Sequence, residues 1–316
     1  MNRPTFQGRP LARPTEDPED QGLGFDLGTL MGRRRILAMF GVGAAAVGLA
    51  ACGSDSTGST ASPGSTASAS TASAASTASG EIPEETAGPY PGDGSNGQDV
   101  LEQSGIVRSD IRSSFGSASG TASGVPMTLE LTIQDLANGG VPFAGTAVYV
   151  WHCDREGRYS MYSQGVTAEN YLRGVQIADA TGKVRFTSIF PACYDGRWPH
   201  IHFEVYGAEA DITDSTKAIA TSQVALPKNT CETVYAETGY ESSVTNLAKV
   251  SLDSDNVFGD DSGATQLGTM TGDVSGGYTV SLAVRIDTRT AAGGGGTAPG
   301  GGTPGGGGPG GTPPTS

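Results

Sequence analysis

The chain has 316 residues, a formal net charge of −14 at pH 7 and only 16% charged side chains. Such an acidic chain offers no basic surface for nucleic acid or anionic lipid, so we expect neither as an electrostatic partner. Its 49 glycines are enriched towards the two ends. Without the biased ends, residues 86–287 have the composition and size of one globular domain of two packed layers.

Residues 1–52 are predicted to be a polar cytoplasmic lead-in followed by an export signal. The arginines at 33–35 precede an uncharged run that ends at Ala51 and is too short and too rich in Gly and Ala for a good membrane span. The double arginine resembles a twin-arginine signal. The sequence LAAC at 49–52 resembles a lipobox, in which Cys52 would be acylated. We therefore expect an exported protein of the cell envelope that touches the membrane only through a lipid at Cys52; an uncleaved signal anchor is the alternative.

Two low-complexity segments are predicted to flank the domain. Residues 53–83 are rich in Ser, Thr, Ala and Gly, and they are interpreted as a disordered tether because they can bury almost no apolar surface. Residues 291–316 form a disordered Gly/Pro-rich tail without the strict triplet of collagen. The sequence does not indicate a function for this tail.

Between these segments the pattern predicts β-strands. In the first, at 127–133, apolar side chains alternate with threonine and glutamate, which is typical of a strand with one buried face. Further strands are predicted at 146–152, 183–190, 200–206, 218–226 and 278–286. Turn residues separate them, and helical periodicity is limited to a turn or two within 240–250. Residues 84–290 are therefore predicted to form an all-β sandwich with long loops and little helix.

The strand predicted at 200–206 carries two of the three histidines of the chain. Residues i and i+2 of a strand project from the same face, so His200 and His202 point together while Ile201, Phe203 and Val205 fill the opposite side. Two adjacent imidazoles could bind a metal ion. Taken alone, the pair is equally compatible with two half-buried strand histidines.

Two tyrosines change this interpretation. Tyr194 lies in the loop that leads into the histidine strand, and Tyr159 lies just after the strand that ends in VWHC. Phenolate oxygens are hard, anionic donors that favour ferric over ferrous iron. The phenol pKa, ordinarily near ~10, falls when the oxygen binds a trivalent cation. Two phenols and two imidazoles could therefore close around one Fe(3+) ion.

Four stretches together resemble the intradiol ring-cleavage dioxygenases, the family of catechol 1,2-dioxygenase and protocatechuate 3,4-dioxygenase. They are ETAGPYP (85–91), VYVWHCDREGRYS (148–160), VRFTSIFPACYDGRWPHIHFEV (184–205) and TSQ (221–223). The resemblance covers roughly residues 84–226, and we predict the fold to be a transthyretin-like (prealbumin-like) β-sandwich. The resemblance implies a non-haem Fe(3+) ion with two phenolate and two imidazole ligands, namely Tyr159, Tyr194, His200 and His202. Tyr194 would be the ligand that leaves when substrate binds.

The resemblance also implies a role for an arginine beside the metal. Arg197 matches the family's arginine before the histidine pair, where it is placed to stabilise negative charge that develops on the ring carbon attacked by O₂. The alternative is a surface arginine paired with Asp195 or Glu204. His152, the third histidine, matches a position that is not a ligand, and a hydrogen-bonded structural role is favoured for it.

Three residues match positions that contact the substrate in the family. Pro89 and Tyr90 lie in the segment that would cover the ring, and Gln223 would line the pocket. For residues 86–90 the alternative is a turn of an edge strand, and for Gln223 it is a glutamine on the sheet surface. No residue indicates which ring substituents the pocket accepts.

Three cysteines remain if Cys52 is acylated. In an oxidising compartment Cys153, Cys193 and Cys231 allow one disulfide and one odd thiol. Cys193 stands where the family usually has glycine, and we interpret it as pairing with Cys153 to fix the ligand loops, with Cys231 as the competing partner. The helical N-terminal segment through which many relatives dimerise is missing, so the oligomeric state stays open.

The sequence thus predicts an exported non-haem Fe(3+) dioxygenase that cleaves catecholic rings between the two hydroxylated carbons, with the substrate and O₂ as its partners. One alternative is a non-enzymatic adhesion or binding module of the cell surface with a structural metal. The other is a zinc hydrolase, which is disfavoured because no further carboxylate or histidine falls at metal-ligand spacing.

Overall fold

The computed structural model describes residues 5–6, 9–10 and 80–290. Near the N-terminus, two short strands, β1 (Thr5–Phe6) and β2 (Arg9–Pro10), pair antiparallel. The predicted export signal, the predicted acylation site Cys52, most of the tether and the whole tail lie outside the described residues.

Residues 80–290 are built mainly from β-strands. The strands are β3 (Pro126–Asp135), β4 (Val141–Pro142), β5 (Ala147–Trp151), β6 (Arg173–Ile177), β7 (Lys183–Ile189), β8 (His200–Tyr206), β9 (Ala218–Ala225), β10 (Thr269–Asp273) and β11 (Gly277–Ile286). Two helices of seven residues each, α1 (Lys228–Val234) and α2 (Glu241–Leu247), follow β9. The predicted all-β class with little helix is confirmed.

All six predicted strands form, and α2 falls within the predicted helical stretch 240–250. Within residues 80–290, β4, β6, β10 and α1 were not predicted from the sequence. The strand β10, TMTGD, has one large apolar residue in five and offers no alternation. The helix α1 has only about two turns, and the spacing of three residues between its buried side chains Cys231 and Val234 is its only apolar helical signal.

The strands of residues 80–290 form two sheets. In the larger, the order is β10-β11-β3-β4, and β7 also pairs with β3. The pair β11–β3 is parallel, whereas the other pairs of this sheet are antiparallel. The smaller sheet has the order β6-β5-β8-β9 and is antiparallel throughout. The strand β8, which carries the histidine pair, is therefore an inner strand.

The two sheets share one apolar core. Its central side chains come from β3, β7 and β11 of one sheet and from β5 and β8 of the other; they include Leu131, Phe186, Val280, Val150 and Phe203. Burying one such side chain contributes about 1.5–3 kcal/mol to folding. The sheets are therefore held face to face by this core.

The opposite face of the smaller sheet carries a second apolar cluster. Tyr149 and Trp151 of β5 and Tyr206 of β8 lie in it, together with Tyr159 from the loop that follows β5. Polypeptide covers this face, since every residue of β8 is buried. The even-numbered side chains of β8 thus lie in an enclosed layer between the sheet and its loops.

The described part of the domain begins at Gly80, four residues before the predicted start. Ile82 is buried in the core, and its backbone N–H donates to the carbonyl of Arg285 at 2.8 Å. Among the residues that the structure describes, no helix has the length and apolar character needed to cross a membrane.

Candidate active site

The two histidines stand at the beginning of β8. Ile201, Phe203 and Val205 belong to the core between the sheets, as predicted, so His200 and His202 project from the other face. The strand register places Trp151 of β5 opposite His202 on one side and Gln223 of β9 opposite it on the other. This row of three side chains forms the floor of the candidate site.

The structure brings four predicted ligand side chains together. The Nε2 atom of His200 lies 3.0 Å from Nε2 of His202, 3.2 Å from the Tyr194 hydroxyl and 3.4 Å from the Tyr159 hydroxyl. Two nitrogen ligands at about 2.0–2.1 Å from one ion cannot lie more than about 4.2 Å apart. All three separations are below that bound, so each of these three donors lies close enough to Nε2 of His200 to share an ion with it.

The hydrogen bonds of His200 orient a lone pair towards this centre. Its Nδ1 atom lies 2.5 Å from the carbonyl oxygen of Trp198. A carbonyl only accepts, so Nδ1 carries the proton and Nε2 keeps its lone pair. Four groups face that one lone pair, counting Nη1 of Arg197 at 3.5 Å, and this is more than it can accept as good hydrogen bonds. A cation, which accepts a lone pair from every donor, fits the set better.

Burial keeps the four donors neutral without an ion. It lowers the pKa of His200 and of His202 well below the usual value, and the Arg197 charge lowers both further. It raises the pKa of the Tyr159 phenol well above 10 and that of Tyr194 to about 12. A multivalent cation at this place would favour the deprotonated phenols and the neutral imidazoles together.

Aromatic rings enclose the donors. The indole of Trp151 stacks on His202, with ring centroids 4.9 Å apart and planes 6° from parallel. The ring of Tyr90 packs on Tyr159 at 5.1 Å. Gly88 has φ of +74°, and a Cβ atom there would lie 3.3 Å from Cε1 of His202. The segment around Gly88 therefore lies close to the predicted ligand His202 and forms a cover over the site.

The predicted substrate-contacting residues lie around this cover. Pro89 is exposed and Tyr90 is partly buried, while Gln223 is buried and its side-chain N–H donates to the carbonyl of Thr86 at 3.0 Å. Residues 80–92 contain no strand, so the edge-strand alternative for 86–90 is wrong. Gln223 joins the floor of the site to its cover.

The guanidinium of Arg197 faces the donors. Its Nη1 atom lies 3.5 Å from Nε2 of His200, and Nη2 donates to Oε1 of Gln223 at 2.6 Å. The alternative prediction, in which Arg197 pairs with Asp195 or Glu204, is wrong. Asp195 pairs at the surface with Lys249, and Glu204 accepts a hydrogen bond from Tyr206.

The acidic partner of Arg197 is Asp255, which the sequence reading did not identify. Their Nε and Oδ2 atoms are 3.0 Å apart, and the carboxylate is fully buried. The two residues are 58 positions apart in the chain. No local motif connects them, so no pattern of spacing could have indicated the contact.

Arg173 of β6 was also missed. Its buried guanidinium donates to the carbonyls of Tyr90 and Pro91 at 2.9 and 2.7 Å, to the hydroxyl of Ser160 at 3.1 Å and to that of Tyr149 at 2.9 Å. It thereby ties the cover to the residue that follows Tyr159. In the sequence, the one feature that could have indicated this role is a charged residue among the apolar residues of a short strand.

The predicted disulfide is not formed. Cys153, Cys193 and Cys231 are all free and buried. The sulfur atoms of Cys153 and Cys193 contact different carbonyls, those of Ala192 at 3.6 Å and of Arg197 at 3.4 Å. Burial raises the pKa of all three thiols, which keeps them protonated and unreactive.

His152 has the structural role that was favoured for it. Its Nδ1 lies 2.8 Å from the carbonyl of Cys153 and its Nε2 lies 2.7 Å from the Ser188 hydroxyl, so both ring nitrogens have partners. Within residues 80–290, no group of three or more His, Cys, Asp or Glu side chains is arranged to hold a metal. A site there depends on the tyrosines, which argues against the zinc hydrolase.

Comparison with known proteins agrees with this donor set. Residues 108–216 match a family model described as Dioxygenase, and the matched region contains both tyrosines, Arg197 and both histidines. The predicted resemblance to the intradiol ring-cleavage dioxygenases is confirmed.

Two relatives illustrate the similarity. The chain is 38% identical over 68 residues to catechol 1,2-dioxygenase from Pseudomonas sp. (strain EST1001); the match spans 22% of this chain and 22% of that protein. In fold, it is similar to an intradiol ring-cleavage dioxygenase from Tetranychus urticae, with 23% identity and a TM-score of 0.51. That alignment covers 66% of this chain and 95% of the mite protein.

Proposed function

We propose that the protein is a non-haem Fe(3+) dioxygenase that cleaves catecholic rings between the two hydroxylated carbons. One observation carries this proposal: the hydroxyls of Tyr159 and Tyr194 and the Nε2 atom of His202 all lie within 3.4 Å of Nε2 of His200. The family match of the surrounding residues supports it.

In this proposal the four side chains hold the ion, and the reaction needs no external reductant. When bound, ferric iron supplies a Lewis acid that binds the two substrate oxygens and accepts electron density from the ring. One carbon–carbon bond breaks, and each of its two carbons becomes a carboxyl group that contains one atom of O₂. The four electrons that reduce O₂ come from the ring, and the two hydroxyl protons end on the muconate-type diacid.

Tyr194 is proposed as the ligand that yields to substrate. It is partly exposed, whereas Tyr159 is only 3% exposed and is packed under Tyr90. A displaced Tyr194 would be placed to accept one of the substrate protons. Tyr159 is enclosed and would remain bound.

Arg197 is proposed to stabilise negative charge that develops on the ring during attack by O₂. Its guanidinium is held beside the donor atoms with only 13% of the side chain exposed. A donor fixed in a site from which water is largely excluded stabilises charge more strongly than one in solution. Pro89, Tyr90 and Gln223 are proposed to contact the substrate from the cover and the floor.

Two finer statements also belong to this proposal. The two face-to-face sheets are proposed to be a transthyretin-like sandwich. The protein is further proposed to be exported and anchored through a lipid on Cys52, which is supported by the double arginine and the LAAC sequence. Acid hydrolysis and mass spectrometry of the N-terminal peptide from membranes would identify the lipid.

The proposal is tested by metal content, spectrum and oxygen uptake. We expect iron in the purified protein, a visible tyrosinate-to-Fe(3+) charge-transfer band that makes it burgundy-red, and uptake of one O₂ per diacid formed. Catechol, protocatechuate, hydroxyquinol and larger catecholic compounds form the substrate panel. A colourless protein that binds zinc in its native state, or no uptake with any compound of the panel, would refute the proposal.

A matched pair of variants tests the ligand set. Tyr159→Phe should abolish or strongly shift the visible band, because the variant loses one phenolate. Tyr162→Phe should leave the band unchanged, since its hydroxyl accepts from the N–H of Gly92 and donates to Asn96 instead. The non-enzymatic surface module is not favoured, because a structural metal does not require Arg197 directed at its ligands.

A further inference from the structure

Asp255 lies outside the region that matches the dioxygenase family model, yet its carboxylate contacts the candidate site. It stands between two short 3₁₀-helices, at 252–254 and 258–260. Its side chain is completely buried. A buried carboxylate is costly unless hydrogen bonds and opposite charge compensate it, so its partners indicate its role.

The two oxygen atoms of Asp255 have different main partners. Oδ1 accepts from the backbone N–H groups of Val257 at 2.8 Å and Phe258 at 3.1 Å, which closes the local turn, and at a longer 3.5 Å from Nη2 of Arg197. Oδ2 accepts from the backbone N–H of Trp198 at 2.6 Å and from Nε of Arg197 at 3.0 Å. Oδ1 therefore mainly shapes the turn, and Oδ2 makes the shorter contacts with two consecutive residues that precede β8.

Arg197 is held from a second side as well. Its Nη2 donates to Gln223 at 2.6 Å, and the amide of Gln223 in turn donates to the carbonyl of Thr86 at 3.0 Å. With Nε and Nη2 engaged, Nη1 is left beside His200. An arginine side chain has several rotatable bonds, and these two contacts select one orientation among many.

We propose that Asp255 is the positioning residue of Arg197: it holds the guanidinium beside the metal-binding donors before substrate arrives. The inference rests on the proposed function, because the charge that Arg197 stabilises arises in that reaction. Asp255 makes no hydrogen bond to the four donor side chains, whereas it binds the Arg197 guanidinium directly, so the contact with Arg197 is its main link to the site. Preorganised charge lowers the barrier because no reorientation is needed during the reaction.

The variant Asp255→Asn separates the two functions of the carboxylate. An asparagine can keep its carbonyl oxygen at the Oδ1 position and still accept from the turn. Its NH₂ group then replaces Oδ2 and faces two donors, Arg197 Nε and Trp198 N–H, so the arginine loses its anchor. Asp195→Asn is the matched control, because that exposed carboxylate lies two residues before Arg197 but forms its ion pair with Lys249.

The kinetic experiment compares oxygen uptake by the iron-loaded wild type, Asp255→Asn, Arg197→Met and the double variant. We expect Arg197→Met to lower kcat by about 10²–10³-fold, and Asp255→Asn by about tenfold or more, with the visible band retained. In the Arg197→Met background, Asp255→Asn should not lower kcat further. Wild-type kcat in Asp255→Asn, or an equal fold-loss in both backgrounds, would overturn the inference.

A second measurement uses the metal-free protein and does not depend on activity. The Nε–H proton of Arg197 should exchange with solvent more slowly than that of the exposed Arg185, and Asp255→Asn but not Asp195→Asn should remove this protection. Equal exchange of the two arginines in the wild type would refute the inference even if Asp255→Asn fails to fold. Absence of oxygen uptake in a wild type with a protected Arg197 would refute the proposed function alone.

Discussion

Acid should destabilise this protein partly through His152, and a single variant can isolate that contribution. The imidazole follows β5 and is completely enclosed. Its Nδ1 donates to the carbonyl of Cys153, and its Nε2 is placed to accept from the Ser188 hydroxyl, so the neutral ring is satisfied. Burial lowers the pKa of His152 to about 4; the nearby Arg173 also lowers it, while Asp154 and the Cys153 carbonyl raise it.

The magnitude follows from the two pKa values. A drop from 6.5 to about 4 corresponds to roughly 3 kcal/mol, at 1.36 kcal/mol per pKa unit. Above pH 6.5 the ring is neutral in both the folded and the unfolded chain, so it contributes nothing to pH dependence. As the pH falls from 6.5 to about 4, the unfolded chain binds the proton first, and the free energy of unfolding decreases.

The assay is urea denaturation of the metal-free wild type and His152→Gln at several pH values from 7 to 4. The variant loses two hydrogen bonds and should be less stable at pH 7. Between pH 7 and pH 4, however, the wild type should lose about 3 kcal/mol more than the variant does. His200 and His202 titrate in both proteins, so their contributions largely cancel in the difference; the charge of His152 is the smallest of the causes that lower their pKa. Parallel curves for the two proteins would refute the reasoning.

Three further substitutions test the architecture around the site. Gly88→Ala should lower the free energy of unfolding by about 1–2 kcal/mol because φ is +74°, which thermal unfolding measures. It should also weaken iron binding because the new Cβ would crowd His202, which the iron content of the purified variant measures. Arg173→Met should lower the free energy of unfolding by about 3 kcal/mol or more, because it leaves buried carbonyls without a donor. In the control Arg185→Met, which removes an exposed arginine, the change should be less than about 1 kcal/mol. Equal effects of the two variants in urea denaturation would contradict this. Phe203→Ala should cost about 3–5 kcal/mol by opening a cavity between the sheets, and a loss below 1 kcal/mol would show that the shared core is not tight there.

The sequence by itself was sufficient for the features that depend on local periodicity. Alternation along β8 places Ile201 and Phe203 in the core and His200 and His202 together on the other face, because a strand has a period of two. The two tyrosines were found because they sit beside strands that also carry the family motifs. Features of the site that depend on residues close together along the chain could therefore be predicted from the sequence.

Other features were decided only by tertiary structure. Asp255 contacts Arg197 across 58 positions, and Arg173 holds the carbonyl of Pro91 across 82. Such contacts depend on how the loops pack over the outer face of the smaller sheet, and no local pattern encodes that packing. The disulfide prediction was wrong for the same reason. Cysteine number and compartment favour pairing, but a bond forms only when the two Cβ atoms and both sulfurs meet in the right geometry, which the fold does not provide for Cys193.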